Sequence, residues 1–166
     1  LTDPRRFGMA LWADNPGDQH KLLRTLGPEP TQSDWSAEAL VNACRGRSAP
    51  IKSVLMDQRV VVGVGNIYAN EALFQAGIHP KRPAGRISTA RLRRLHTAAI
   101  DVLDRAIAQG GTTLRDFSGA DGSPGYFQLV VSVYQRDGQP CRQCQTPIRR
   151  MVIGQRATFW CPACQR

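Results

Sequence analysis

Nothing in this sequence is long and apolar enough to cross a membrane. The run Val60 to Val64 falls far short of the roughly 18 apolar residues a spanning helix needs. No heptad, collagen-like period or biased tract extends beyond a few residues, so coiled-coil and low-complexity classes fail as well. Lysine is scarce: of 22 basic side chains only Lys21, Lys52 and Lys81 are lysine. Histidine is scarce too, and His20, His79 and His96 share no metal-like spacing with one another or with a carboxylate. There is no Gly-x-Ser-x-Gly and no paired-acid constellation, so conventional hydrolase chemistry is not written here. The chain opens Leu1-Thr2-Asp3-Pro4, without an initiator Met or an apolar leader, and is expected to be a piece of a longer protein.

What remains is 166 residues, 42% hydrophobic, with mean hydropathy −0.33. That is enough to bury roughly 70% of the unfolded surface without a disulfide framework, in one or two small domains. The net charge of +9 lies in two blocks, residues 41–100 and 136–166, separated by weakly acidic stretches. Both blocks are dominated by arginine, whose planar fork suits phosphate, and a polyanion is the expected partner. A GC-rich genome would also raise arginine over lysine. Four of the five cysteines, Cys141, Cys144, Cys161 and Cys164, cluster at the end, while Cys44 stands alone. This pattern fits a reducing, intracellular compartment.

Along the chain, residues 5–13 read as a short strand with an arginine-rich entry, and Gly27-Pro28-Glu29-Pro30 as a linker. Ala37 to Arg45 is helix-like, with Ser36 as N-cap and Leu40, Val41 and Cys44 on one face. Cys44 is then a core residue. A short helix through Asp57 starts at Pro50, with Ile51, Val54 and Leu55 apolar. A second runs from Asn66 to Ala76, with Ile67, Leu73 and Phe74 inward and Gly77 as its stop. The clearest helix lies between Ser88 and Gln109, with Leu92, Leu95, Ala99, Val102, Leu103 and Ala106 at helical spacing before Gly110-Gly111. Residues 111–125 should form a mobile loop, Tyr126 to Gln135 a strand, and the tail two short strands flanked by cysteine pairs.

Cys141-x2-Cys144 and Cys161-x2-Cys164 have the spacing of a four-thiolate zinc site. Two intervening residues let both sulfurs of a pair face one tetrahedral ion, and the excursion between pairs is long enough for a hairpin. Redox disulfides or iron are the lesser alternatives. Four thiolates leave no open coordination position, so one structural zinc ion is expected, and the last 30 or so residues should not fold without it. Gly63-Val64-Gly65-Asn66 opens a helix, but Tyr68 stands where a dinucleotide fingerprint needs its third glycine, and no Gly-Lys-Ser/Thr follows. The segment is either an anion site at a helix N-terminus or simply a tight turn between helices.

Several motifs occur in order: Asp3-Pro4-Arg5-Arg6-Phe7-Gly8, Ile51-Lys52 through Met56-Asp57, Val62 to Ala69, Gly77-Ile78-His79-Pro80, Gly110 to Phe117, and Gln155-Arg156-Ala157-Thr158-Phe159 before the last cysteine pair. Together they closely resemble bacterial formamidopyrimidine-DNA glycosylase, essentially end to end. The resemblance implies a mainly α fold with a small β zinc-finger module. Residues 1–30 would be remnant strands and linker of an N-terminal β-sandwich, 31–125 a helix-two-turns-helix DNA-binding domain with a lesion-capping loop, and 126–166 the zinc finger.

The function so implied is base-excision repair. Oxidised purines such as 8-oxoguanine and formamidopyrimidines are excised, and the abasic strand is cleaved by β,δ-elimination. The nucleophile in that family is an N-terminal proline amine beside a glutamate, helped by a distant lysine; Pro28-Glu29 is internal and does not match it. The piece by itself is therefore expected to bind DNA without excising bases. Arg5 and Phe7 resemble the residues that fill the gap left by a flipped base, although strand-edge charge and a core Phe would read the same. Asn66 and Arg156 match the family's phosphate clamp, Arg156 also being its proton donor in δ-elimination. Arg47 and Lys52 fall in its DNA-contacting stretch, though each by itself reads equally as a solvated surface charge. Thr112, Thr113, Gly125 and Tyr126 lie in the loop that resembles the flap over the extruded base. The implied partner is double-stranded DNA carrying oxidised purines or abasic sites, with no membrane, in a monomeric, cytoplasmic, nucleoid-associated protein. A non-catalytic zinc-finger DNA-binding module and an endonuclease VIII-type glycosylase are the alternatives.

Overall fold

The computed structural model describes residues 23–30, 34–108 and 131–166. Four helices come first: α1 (Ala37–Cys44), α2 (Ile51–Leu55), α3 (Asn66–Gln75) and α4 (Thr89–Ala108). An antiparallel pair follows, β1 (Arg149–Ile153) and β2 (Arg156–Trp160), in register from Arg149↔Trp160 to Ile153↔Arg156. This is a mostly helical fold with a small two-stranded module, as expected. The expected strand at residues 5–13, with Arg5 and Phe7, and the loop carrying Thr112, Thr113, Gly125 and Tyr126 lie outside the described residues.

Local chemistry explains each helix boundary. The Ser36 hydroxyl accepts the Ala39 N–H at 3.1 Å and so caps α1. Pro50 sits at the N-cap of α2, where its missing N–H costs nothing. At the end of α3, Gly77 takes a φ of +69°, which favours glycine, and the Ile78 N–H returns to Leu73 O at 2.9 Å. A Cβ at Gly77 would also stand 3.3 Å from the Cys164 carbonyl oxygen, so the zinc-finger chain passes close by.

The apolar stripe of α4 (Leu92, Leu95, Ala99 and Leu103) packs with α1 and α3 around Trp35, Leu40, Cys44, Ile51, Leu55 and Leu73. Cys44 is a core residue whose thiol burial pushes up to about 11. His96 takes no metal-like role: its Nε2 lies 2.7 Å from Trp35 O, with the two rings 4.6 Å apart. One inward assignment is corrected, because Ile67 is only half-buried while Asn70 and Glu71 of the same helix are buried. The expected strand over 126–135 is corrected as well. Its described end, 131–135, is bends and a turn, because the backbone donors there bond to a side chain rather than to a neighbouring strand.

A candidate nucleic-acid interface and metal centre

The hairpin tip is made by Gly154 and Gln155, both with positive φ (55° and 62°), as two-residue turns between right-twisted strands require. It delivers Arg156 as the first residue of β2. Ser53 of α2 lies beneath the tip, 3.9 Å from where a Gly154 Cβ would be. The Ala157 carbonyl then accepts from two helices at once, from Asn66 Nδ2 at 3.0 Å and from Lys52 Nζ at 3.2 Å. Asn66, the first residue of α3, is thereby tied to the residue that follows exposed Arg156.

Lys52 is not the surface charge its sequence context allows. It is 1% exposed, and its ammonium donates to Thr158 Oγ1 at 2.7 Å as well as to Ala157. Burial first, then the Arg156 guanidinium nearby, pulls its pKa down to about 8. So closed a side chain seats the hairpin and does not itself reach across solvent. Arg47 remains at the surface, 3.7 Å from Asp57, which also takes two hydrogen bonds from Arg59 at 3.0 Å. Arg59 foremost, and Arg47 more weakly, hold the Asp57 carboxyl below the usual range.

Gly65, the residue before α3, has extended backbone geometry, and a Cβ there would meet no described atom within 4 Å. No described neighbour requires glycine at this place. The first-turn N–H groups of any helix lack intrahelical acceptors.

Two residues that carry the assembly were missed in the sequence. Asn70 donates to Asn66 O at 2.7 Å and accepts the Phe159 N–H at 2.7 Å, tying α3 to β2. The Glu71 carboxylate accepts the N–H groups of Ser132, Val133 and Tyr134 at 2.7, 3.0 and 2.9 Å, anchoring the chain as it enters the zinc finger. A polar Asn-Glu pair inside an otherwise apolar helical stretch was the signal available.

The four terminal cysteines converge, with all four Sγ atoms within 4.8 Å of one another. Cys144 Sγ lies 3.4 Å from those of Cys161 and Cys164, and Cys141 Sγ lies 4.0 Å from that of Cys164. Zinc–thiolate bonds of about 2.3 Å place tetrahedral sulfurs about 3.8 Å apart, so the set fits one zinc ion. The Gln143 and Cys164 N–H groups point at Cys141 Sγ and Cys161 Sγ at 3.5 Å, as donors around a thiolate should. The knuckle is fixed to the helices by Gln165, which donates to Ile78 O and accepts from the Cys161 N–H, both at 2.9 Å.

The family described as formamidopyrimidine-DNA glycosylase H2TH domain matches residues 26–118, and the zinc finger found in FPG and IleRS matches 138–166. The chain belongs to the formamidopyrimidine-DNA glycosylase family. The glycosylase of that name from Methylococcus capsulatus is 57% identical over 99% of this chain and 60% of its own length. The one from Stenotrophomonas maltophilia is 55% identical over the whole chain and 61% of its own length. Among solved structures, the MutM (Fpg) protein of Thermus thermophilus matches with a TM-score of 0.81 and 43% identity over 87% of this chain and 55% of that one. The Lactococcus lactis Fpg in complex with abasic-site DNA gives 0.80 and 34%, over 87% of this chain and 53% of that one. The chain spans about 60% of the length of the curated glycosylases it matches.

Proposed function

We propose that these residues form the duplex-gripping part of a bifunctional DNA glycosylase and AP lyase, one that excises oxidised purines and cleaves the abasic strand by β,δ-elimination. The observation that carries the reading is the Asn66 amide bonded at 3.0 Å to the carbonyl of Ala157, the residue after exposed Arg156, at the N-terminus of α3. An amide, a guanidinium and the N-terminal end of a helix are the groups from which a phosphate clamp is built. Family membership supplies the damaged duplex as the polyanion. The Lactococcus lactis relative is named as a complex with abasic-site DNA.

In this reading Asn66, Arg156 and Arg47 touch phosphates, and Lys52 acts through the hairpin it seats. Arg156 also gives the proton in the second elimination, the role that the family resemblance implies for it. Arg5 and Phe7 fill the gap left by the extruded base, and Thr112, Thr113, Gly125 and Tyr126 close over that base. The three parts are residues 1–30, 31–125 and 126–166, working as a monomer in the bacterial cytoplasm around the nucleoid. Zinc supplies no chemistry to the reaction; its four-thiolate site holds the hairpin that carries Arg156. The Schiff-base nucleophile is an amine that Pro28 does not offer, since its nitrogen lies within the chain and its carbonyl accepts the Val62 N–H at 3.1 Å.

Duplex binding measured against salt tests the clamp. Arg156→Ala should weaken binding and flatten the slope of log affinity against log salt by about one unit, the loss of a single phosphate contact. An unchanged slope removes Arg156 from the clamp. Borohydride treatment of the 166-residue chain with an oxidised duplex should trap no specific covalent adduct; a robust adduct would show a nucleophile within these residues.

A further inference from the structure

The far end of α3 carries a second concentration of positive charge that the clamp does not use. Arg91 and Arg94 project from the first turns of α4, Lys81 and Arg82 lie in the connector before it, and Arg166 follows the last cysteine. Two adjoining hollows of about 470 and 500 Å³ share Arg166. The first is lined by Arg91 and Arg94, the second by Lys81 and Arg82. Ten helical residues separate this face from Asn66 by about 15 Å.

Among the described residues, none of these five cations is within ion-pair distance of an Asp or Glu carboxylate. The ion pairs there are Arg47 and Arg59 with Asp57, and Arg93 with Glu38. Asp101, at the edge of the face, accepts Gln75 Nε2 at 3.1 Å. Cations do gather at helix C-termini to meet the last carbonyls. Arg91 does this at the end of α3, donating to Gly77 O at 2.8 Å, and it also donates to Arg166 O at 2.6 Å. The side chains of Arg82 and Arg94 do not. Burial first, and then the like charges of Arg82 and Arg94, disfavour the charged form of Arg91, and a polyanion would relieve the part that comes from like charge.

We propose that this row is a second phosphate-binding surface, which takes the backbone of another DNA segment while the Asn66–Arg156 end holds the first. The duplex-binding reading above is needed only to name the polyanion. A protein partner would bury an aromatic or aliphatic anchor in a pocket; here three of the four residues lining the second hollow are cations, with His79 the fourth, and the first has three arginines beside the small Ala76 and Ala163. Spread guanidinium forks suit phosphodiesters. Such a surface lets the protein pass directly between DNA segments without first entering free solution.

The test is the number of short abasic-site duplexes bound per chain at low salt, measured by sedimentation. The unmodified protein should bind two, Arg82→Gln/Arg94→Gln one, and Asn66→Ala/Arg156→Ala one, with unchanged circular dichroism in each variant. A stoichiometry of one that the Arg82/Arg94 change leaves alone overturns the second surface, as does a stoichiometry of two that survives it. If the Arg82/Arg94 variant binds no duplex while the Asn66/Arg156 variant binds normally, the row is the DNA site and the clamp reading falls instead. A poly-glutamate peptide that displaces the second duplex at equal concentration of charge assigns the row to acidic proteins and overturns the phosphate proposal.

Discussion

Lys52 shows what a buried cation does to stability. Its pKa of about 8 in the folded protein lies below the ordinary 10.5, so the folded state disfavours the charged amine. Below pH 8 both folded and unfolded chains carry the proton and the full penalty applies. Between pH 8 and 10.5 only the unfolded chain holds it, and stability therefore rises with pH across that window. Lys52→Met removes this dependence. Urea unfolding of the two proteins at about pH 7.5 and about pH 10 should show the native chain gaining up to about 3 kcal/mol on the variant. Equal shifts in both would remove Lys52 from the account. No local pattern marks Lys52 as buried, because its partners Ala157 and Thr158 lie more than a hundred residues away. The cysteine ligands were legible for the opposite reason: each pair is set by two intervening residues, a spacing that the chemistry of one ion dictates.

At the level of elements, helices were readable where their stabilising interactions are local. Ser36 caps α1 within three residues, and the α4 stripe repeats at helical spacing. Ser36→Ala should cost about 1 kcal/mol in urea unfolding. The segment before the zinc finger was misread because Glu71, some sixty residues earlier, supplies the acceptors that a strand would find in its neighbour. Glu71→Ala leaves three N–H groups, one of them buried, without that partner and should cost about 3 kcal/mol or more, with zinc content unchanged. A loss under about 1 kcal/mol would mean that water replaces the carboxylate freely. Asn70→Ala, which frees the buried Phe159 N–H, should loosen the same junction, seen as faster amide exchange in β2.

For the whole molecule, metal and core are separate sources of order joined at one seam. The helical core is apolar and closed around Trp35, whereas the finger has a small cluster of Val133, Ile148 and Phe159 beside its thiolates. Chelation of the zinc should therefore abolish the environment of Trp160, whose ring stands edge-on to His79 at 5.4 Å, while most helical circular dichroism is kept. Parallel loss of both signals would show that the helices also depend on the ion. The division into helices and a terminal cysteine module was plain from order and spacing. The seam between them was not, since nothing local to Lys52 or Gln165 marks them as partners of chain far away in sequence until folding sets them there.

That seam limits how portable the finger is. An engineer who grafts residues 138–166 onto another scaffold transfers every metal ligand and the turn that presents Arg156. The graft leaves behind the amine and the amide that grip Ala157 and the carboxylate that anchors the entering chain. The transplant would coordinate its ion yet aim its arginine loosely. A working chimera has to bring along the stretch from Lys52 to Glu71 as its socket.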